Sequence, residues 1–144
     1  MIRHAGLIAL RLGGRWRGVL IEGPSGAGKS DLALRAMGEG FRLVADDRVL
    51  LWTSGGKLFG RAPDALHGLI EARGVAVTAA TALSLAEVAL VAACGIPERI
   101  PSPASAEILG VRTPQVTIAP LDASAPAKLS RALAVFDRDG KRRM

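Results

Sequence analysis

The sequence predicts a single α/β domain over 1–144: a mixed sheet, one helix behind a glycine-rich loop, and a second helix near the C-terminus. Three observations lead there. The run VLIE-GPSGAGKS-DLALRAM passes from an apolar strand pattern through a Gly-rich loop into helical spacing. Short apolar runs cut by Gly and Pro recur along the rest of the chain, as strands and hairpins require. With 144 residues, 49% of them hydrophobic, the chain is long enough to bury one core.

The elements follow in order. Residues 5–12 alternate loosely and read as a strand. Gly13-Gly14 marks a turn, and 17–22 with its VLI centre reads as the return strand of a hairpin. Residues 29–38 place Leu32, Leu34 and Met37 at helical spacing, with Gly38 and Gly40 ending the helix. Residues 41–45 form a short buried strand. Residues 48–53 and 57–61 flank Ser54-Gly55-Gly56, a hairpin signal. The run AEVALVAA at 86–93 suits helix or buried strand; Gly95 and Pro97 cut it short and favour strand. Residues 97–103 read as a loop and 116–119 as a short strand. Residues 127–136 form a closing helix with Leu129, Leu133 and Phe136 on one face.

Composition narrows the function classes. Lys+Arg 19 against Asp+Glu 13 gives a net charge of +6, which favours an anionic partner such as a nucleotide or an acidic protein surface. Two Trp, three Phe and no Tyr, none interleaved with basic residues, argue against nucleic acid. The only tight basic run is the terminal KRRM, which reads as a solvated end. Cys94 is the sole cysteine, so no disulfide framework or cysteine zinc site can be built. The first ten residues contain Arg3 and His4 and do not read as a signal peptide. The apolar stretch 75–94 carries Glu87 with several Thr and Ser, and reads as core rather than membrane. The expected home is a reducing cytoplasm.

GPSGAGKS satisfies G-x-x-x-x-G-K-[ST]. In that pattern the loop Gly23, Pro24, Ser25, Gly26, Ala27 and Gly28 wraps a phosphate at a helix N-terminus, with its available backbone N–H groups pointing inward. Lys29 reaches the outer phosphates, and the Ser30 hydroxyl goes to Mg²⁺. Such a loop does not by itself say where the phosphate goes. FRLVADD then ends on Asp46 and Asp47. Acids at a strand end handle Mg²⁺ or its water in many such proteins; equally, Asp is a common turn former. Were the strand to continue through both, only one could face the loop.

The run GVLIEGPSGAGKSDLALRAMGEGFRLVADDRV resembles the catalytic core of the HPr kinase/phosphorylase family, and a looser likeness extends from His4 to about Val116. The family phosphorylates a serine of HPr, the phosphocarrier of the sugar phosphotransferase system. The resemblance implies a core like that of phosphoenolpyruvate carboxykinase rather than a standard Rossmann array. It implies a short member without the family's separate N-terminal domain. It also implies a bacterial cytoplasmic protein serine kinase using ATP and Mg²⁺, with HPr as partner and a hexamer as the assembly. By resemblance Asp47 is the base, beside its signature neighbour Asp46, and His4 is a catalytic histidine. Glu71 in LIEARGVAV is the second Mg²⁺ ligand beside Ser30, with Arg73 and Gly74 completing that signature. Arg99 in GIPERIP matches another active-site arginine. If 71–73 is extended, Glu71 and Arg73 face one side, and Arg73 can stabilise transferring charge. His67 matches nothing and is expected to be a bystander.

One stretch departs from the family. Where its members usually carry a basic Pro-Gly-Arg loop tied to phosphorolysis, this chain has APLDASAPAKL, with no arginine and no glycine. Kinase activity is therefore the firmer expectation; dephosphorylation by phosphate and the use of pyrophosphate as donor stay open. Two rival functions remain, a small-molecule kinase and a nucleotide-dependent switch ATPase. The first needs an arginine-bearing lid and the second a water-positioning residue, neither of which the sequence marks.

Overall fold

A computed structural model describes residues 1–136; the basic KRRM end lies outside the described residues. The strands are β1 (Ile2–Arg3), β2 (Ala5–Leu12), β3 (Arg15–Glu22), β4 (Arg42–Ala45), β5 (Val49–Ser54), β6 (Lys57–Arg61), β7 (Leu69–Ala72), β8 (Ala76–Ala79), β9 (Ala86–Cys94), β10 (Ala104–Ile108) and β11 (Val111–Ile118). Two helices, α1 (Lys29–Met37) and α2 (Ala125–Val135), and one 3₁₀ turn (Asp64–Leu66) complete the described chain.

Nine strands form one mixed sheet in the order β1-β5-β6-β9-β3-β2-β4, with β10 and β11 branching from β9. β9 is parallel to β3 along one edge. On its other edge its start pairs with β6 and its end with β11. The sheet therefore forks at β9, which explains why a nine-residue strand is almost wholly apolar. The two core clusters lie on opposite faces. Ile8, Val19 and Ile21 pack with the buried residues of α1 and α2, whereas Leu7, Leu20, Val49 and Leu58 belong to the cluster on the other face. Strands covered on both faces read as near-continuous apolar runs instead of alternating ones. That is the pattern of GLIAL and GVLI.

The two glycine hairpins form as expected. At the β5–β6 turn Gly55 and Gly56 have φ of 58° and 75°, the left-handed pair that a two-residue hairpin demands. Other expectations need correction. α1 buries Leu32, Ala33 and Ala36, while Leu34 is exposed; small residues let the helix sit close to the sheet. The strand placed at 116–119 is the end of an eight-residue strand, paired with β10 in a hairpin the sequence did not signal. Its turn uses Leu109 at φ 50° before Gly110, a conformation L side chains adopt rarely. Residues 69–79 fold as a separate two-stranded hairpin, β7–β8. α2 begins at Ala125 with Pro126 in its first turn, as Pro permits, and ends at Val135, one residue before Phe136. Among the described residues no helix is long and apolar enough to cross a membrane.

Candidate active site

β3 runs straight into the Gly23–Gly28 loop, and the loop into α1. Gly26 and Gly28 adopt φ of 82° and 105°, with Gly28 as the helix N-cap. Lys29 Nζ donates to the carbonyls of Gly23 at 2.7 Å and Pro24 at 2.9 Å. Its ammonium is thereby curled over the loop. Gly23 is required for another reason: a methyl group there would fall 2.8 Å from Cys94 Cβ. Cys94 ends β9 beside the loop. Burial pushes its thiol above its ordinary 9.0, and the nearby Lys29 charge only partly opposes this.

Asp46 ties the site together. It is 7% exposed. Its Oδ1 accepts from Ser30 Oγ at 2.7 Å and its Oδ2 from the Glu71 backbone N–H at 3.0 Å. One carboxylate thus joins α1, the end of β4 and β7. Asp47 differs: its side chain is 68% exposed, 3.6 Å from Arg48 Nε. The condition under which only one of the two could face the loop, a strand continuing through both, is not met. β4 ends at Ala45, Asp47 takes φ 69°, and both side chains line the same cavity. Strand alternation no longer applies once the chain turns. The Ala5 N–H donates to the Asp47 carbonyl at 3.2 Å, fixing Asp47 beside the bend that carries His4.

These groups surround a cavity of about 710 Å³. Its lining includes His4, the loop residues Gly23, Pro24, Ser25, Gly26 and Gly28, and Lys29 and Ser30. Asp46, Asp47, Glu71 and Arg73 also line it. Arg73 lies in the β7–β8 turn and not on an extended strand, yet reaches the same cavity as Glu71. Ala27 and Gly74 hold loop and turn geometry without lining it. Arg99 does not line it either: it stands exposed on the loop between β9 and β10. His67 is likewise outside. Two lining residues, Asp31 and Leu121, were not anticipated. Asp31 was legible as the residue after GKS. Leu121 comes from the β11–α2 turn, and no local signal brings it to the loop.

The described residues contain no group of three or more His, Cys, Asp or Glu arranged for a metal. Ser30, Asp46 and Glu71 nevertheless supply only hard oxygen donors, the set that suits Mg²⁺ where phosphate and water complete the shell. The Ser30 hydroxyl donates its hydrogen bond to Asp46, which leaves its oxygen lone pairs free to bind a cation.

The fold and this loop define an α/β core of the P-loop kinase type. Over 93% of the chain it superposes on 94% of the Hpr(Ser) kinase/phosphatase from Coxiella burnetii, with a TM-score of 0.77 and 24% identity, a likeness of fold. In sequence, the model of the HPr Serine kinase C-terminal domain matches residues 9–84, just over half of the chain. The chain belongs to that family. HPr kinase/phosphorylase of Brevibacillus brevis is 52% identical over 61 residues, 42% of this chain and 20% of that one. The Clostridium perfringens enzyme of the same name is 44% identical over 66 residues, 46% of this chain and 22% of that one. The matched stretch spans about a fifth of those relatives.

Two stability outcomes follow from the geometry. Asp46→Ala strands the Ser30 hydroxyl and the Glu71 N–H, and should cost about 2–3 kcal/mol in urea unfolding; Asp46→Asn, which keeps one acceptor, should cost less. Gly23→Ala must move β9 or the loop and should cost about 1–3 kcal/mol, read as a lower melting temperature.

Proposed function

We propose that this chain is the catalytic core of an ATP-dependent protein serine kinase acting on HPr. The observation that carries the reading is the convergence of Asp47, His4, Glu71 and Arg73 on the cavity that the Gly23–Ser30 loop opens into. Family membership supports HPr as the protein substrate.

The phosphates of ATP would lie in the loop, against its N–H groups and the positive end of α1. Lys29 would leave the Gly23 and Pro24 carbonyls for the outer phosphates. Ser30 and Glu71 would hold Mg²⁺, with Asp46 orienting the Ser30 oxygen from behind. Bound there, Mg²⁺ would neutralise charge on the phosphate oxygens. The HPr serine oxygen attacks the γ-phosphorus while Asp47 takes its proton, and the bond to the ADP oxygen breaks. Asp47 is exposed and open to an incoming protein, as such a base must be. Arg73 would offset charge on the transferring group, and His4 lines the same cavity. Forward transfer is the direction proposed, because the turn after β11 lacks the family's basic loop. The reading also places the protein in a bacterial cytoplasm, regulating the phosphotransferase system, as a hexamer of like chains.

Transfer of labelled γ-phosphate from ATP to HPr is the direct test. A serine peptide or a nucleoside monophosphate accepting phosphate while HPr does not would favour the small-molecule kinase instead. Hydrolysis without any acceptor would favour the switch ATPase.

Asp47→Asn should lower single-turnover transfer by a factor of about 10² to 10⁴ while ATP·Mg²⁺ binding, measured by calorimetry, stays near the parent value. Transfer at the parent rate would remove Asp47 as the base. Glu71→Gln should lower activity and raise the Mg²⁺ concentration for half-maximal rate, since a neutral amide holds a hard dication less well. An unmoved Mg²⁺ titration would exclude Glu71 as a ligand.

A further inference from the structure

We propose that Leu121, held in place by Arg35, is the surface on which the base of a nucleotide donor packs, so that this pair selects a nucleoside triphosphate over inorganic pyrophosphate. This rests on the reading of the Gly23–Ser30 loop as a phosphate site.

The cavity is lined chiefly by glycines, hydroxyls, an amine and carboxylates. Those groups suit phosphate and cation; the His4 ring and the Arg73 guanidinium, also in the lining, are taken by the proposed transfer chemistry, which leaves a flat, weakly polar base little else to lie against. Leu121 is the large aliphatic side chain in that lining, and it is 71% exposed. A lone exposed leucine is ordinary. This one is fixed. Arg35 of α1 donates through Nη2 to the Pro120 carbonyl and through Nη1 to the Asp122 carbonyl at 3.0 Å. Its Nε donates to Asp31 at 2.8 Å. The rigid guanidinium fork therefore grips the backbone on both sides of Leu121. Two turn bonds, Asp122 N–H to Ala119 O at 3.1 Å and Ala125 N–H to Asp122 O at 3.0 Å, close the segment.

The grip puts Leu121 against the loop itself. A methyl group on Gly28 would fall 2.8 Å from Leu121 Cδ2 and 3.7 Å from Pro120 Cβ. Gly28 caps α1 and precedes Lys29, so this apolar surface abuts the end of the phosphate cradle where the helix begins. A nucleotide threading its phosphates along the loop and helix end brings its nucleoside out beside it. An already ordered surface costs less to bind than one that must be fixed on contact. Pyrophosphate has no nucleoside and gains nothing from it. The Arg35–Asp31 pair also offsets a carboxylate that would otherwise face the polyphosphate.

The test is calorimetric binding of Mg·ATP and of Mg·pyrophosphate to the parent chain, Leu121→Ala, Leu121→Met and Arg35→Ala, each checked for an intact fold by its melting curve. For Leu121→Ala and Arg35→Ala, ATP affinity should fall about five- to tenfold, with pyrophosphate affinity moving less than about twofold. Leu121→Met, which keeps the apolar volume, should bind ATP like the parent. Equal losses for both ligands would mean that the pair only shapes the loop, and would overturn the proposal. Unchanged ATP affinity would overturn it as well. A parent chain that binds neither ligand would remove the phosphate-site reading, and this proposal with it.

Discussion

The Asp46 carboxylate is the constraint on which the rest of the site depends. It is buried, and each of its oxygens accepts one hydrogen bond, from the Ser30 hydroxyl and from the Glu71 backbone. A buried carboxylate needs such partners, because its desolvation is otherwise uncompensated. The same bonds align three segments distant in sequence: the start of α1, the end of β4 and the β7–β8 hairpin. That hairpin is a separate two-stranded sheet, and an isolated pair of strands is marginal by itself. Its Ile70 in the helix-side core and its Glu71 N–H on Asp46 hold it to the domain. Glu71 and Arg73 reach the cavity only because of that hold.

The sheet does the remaining positioning. β3 and β9 run parallel at its centre and end together, so that Gly23 lands on Cys94. β2 lies between β3 and β4, which brings the bend at His4 and the turn at Asp47 to the same edge as the loop. The Arg3–Glu22 ion pair at 2.6 Å and the Ala5–Asp47 backbone bond cross-link those neighbours. A partly exposed ion pair adds little stability; here its effect is to hold the approach to His4 in register with the end of β3.

Much of this was legible in the sequence, and the reason differs by element. GPSGAGKS is a local motif whose conformation its own glycines determine, so loop and helix could be read directly. The Gly-Gly hairpins are local in the same sense. Asp46, Asp47, Glu71 and Arg73 were legible through family resemblance, since spacing alone leaves turn acids and surface pairs equally acceptable. What could not be read was tertiary or conformationally unusual. Leu109 turning at positive φ gives no Asn-Gly or Gly-Gly signal, so the β10–β11 hairpin was missed. Leu34 lies two residues from the buried Leu32, so the helix turns it away from the face that Leu32, Ala33 and Ala36 bury. Leu121 and Arg35 meet only because α2 folds back over α1. Arg99 was read from a short motif likeness, and such a likeness does not settle whether a loop residue comes to the cavity; in the structure it lies outside the lining.

The two neighbouring aspartates show how environment assigns different work to one chemical group. Family resemblance separated them by role, with strand alternation as a conditional reason, and the structure separates them by environment. The chain leaves β4 at Ala45, so both carboxylates reach the cavity, and access to their lone pairs becomes the distinction. Asp46 has both oxygens engaged as acceptors in a buried setting, which suits a structural and orienting role. Asp47 sits one residue on, in a left-handed conformation that Asp tolerates better than most residues, with its carbonyl pinned by Ala5 and its side chain toward solvent. Only the second is open to a group arriving from solvent, as the proposed function requires of it. The positive φ at Asp47 is thus the local device that turns a pair of strand-end acids into one buried anchor and one accessible group.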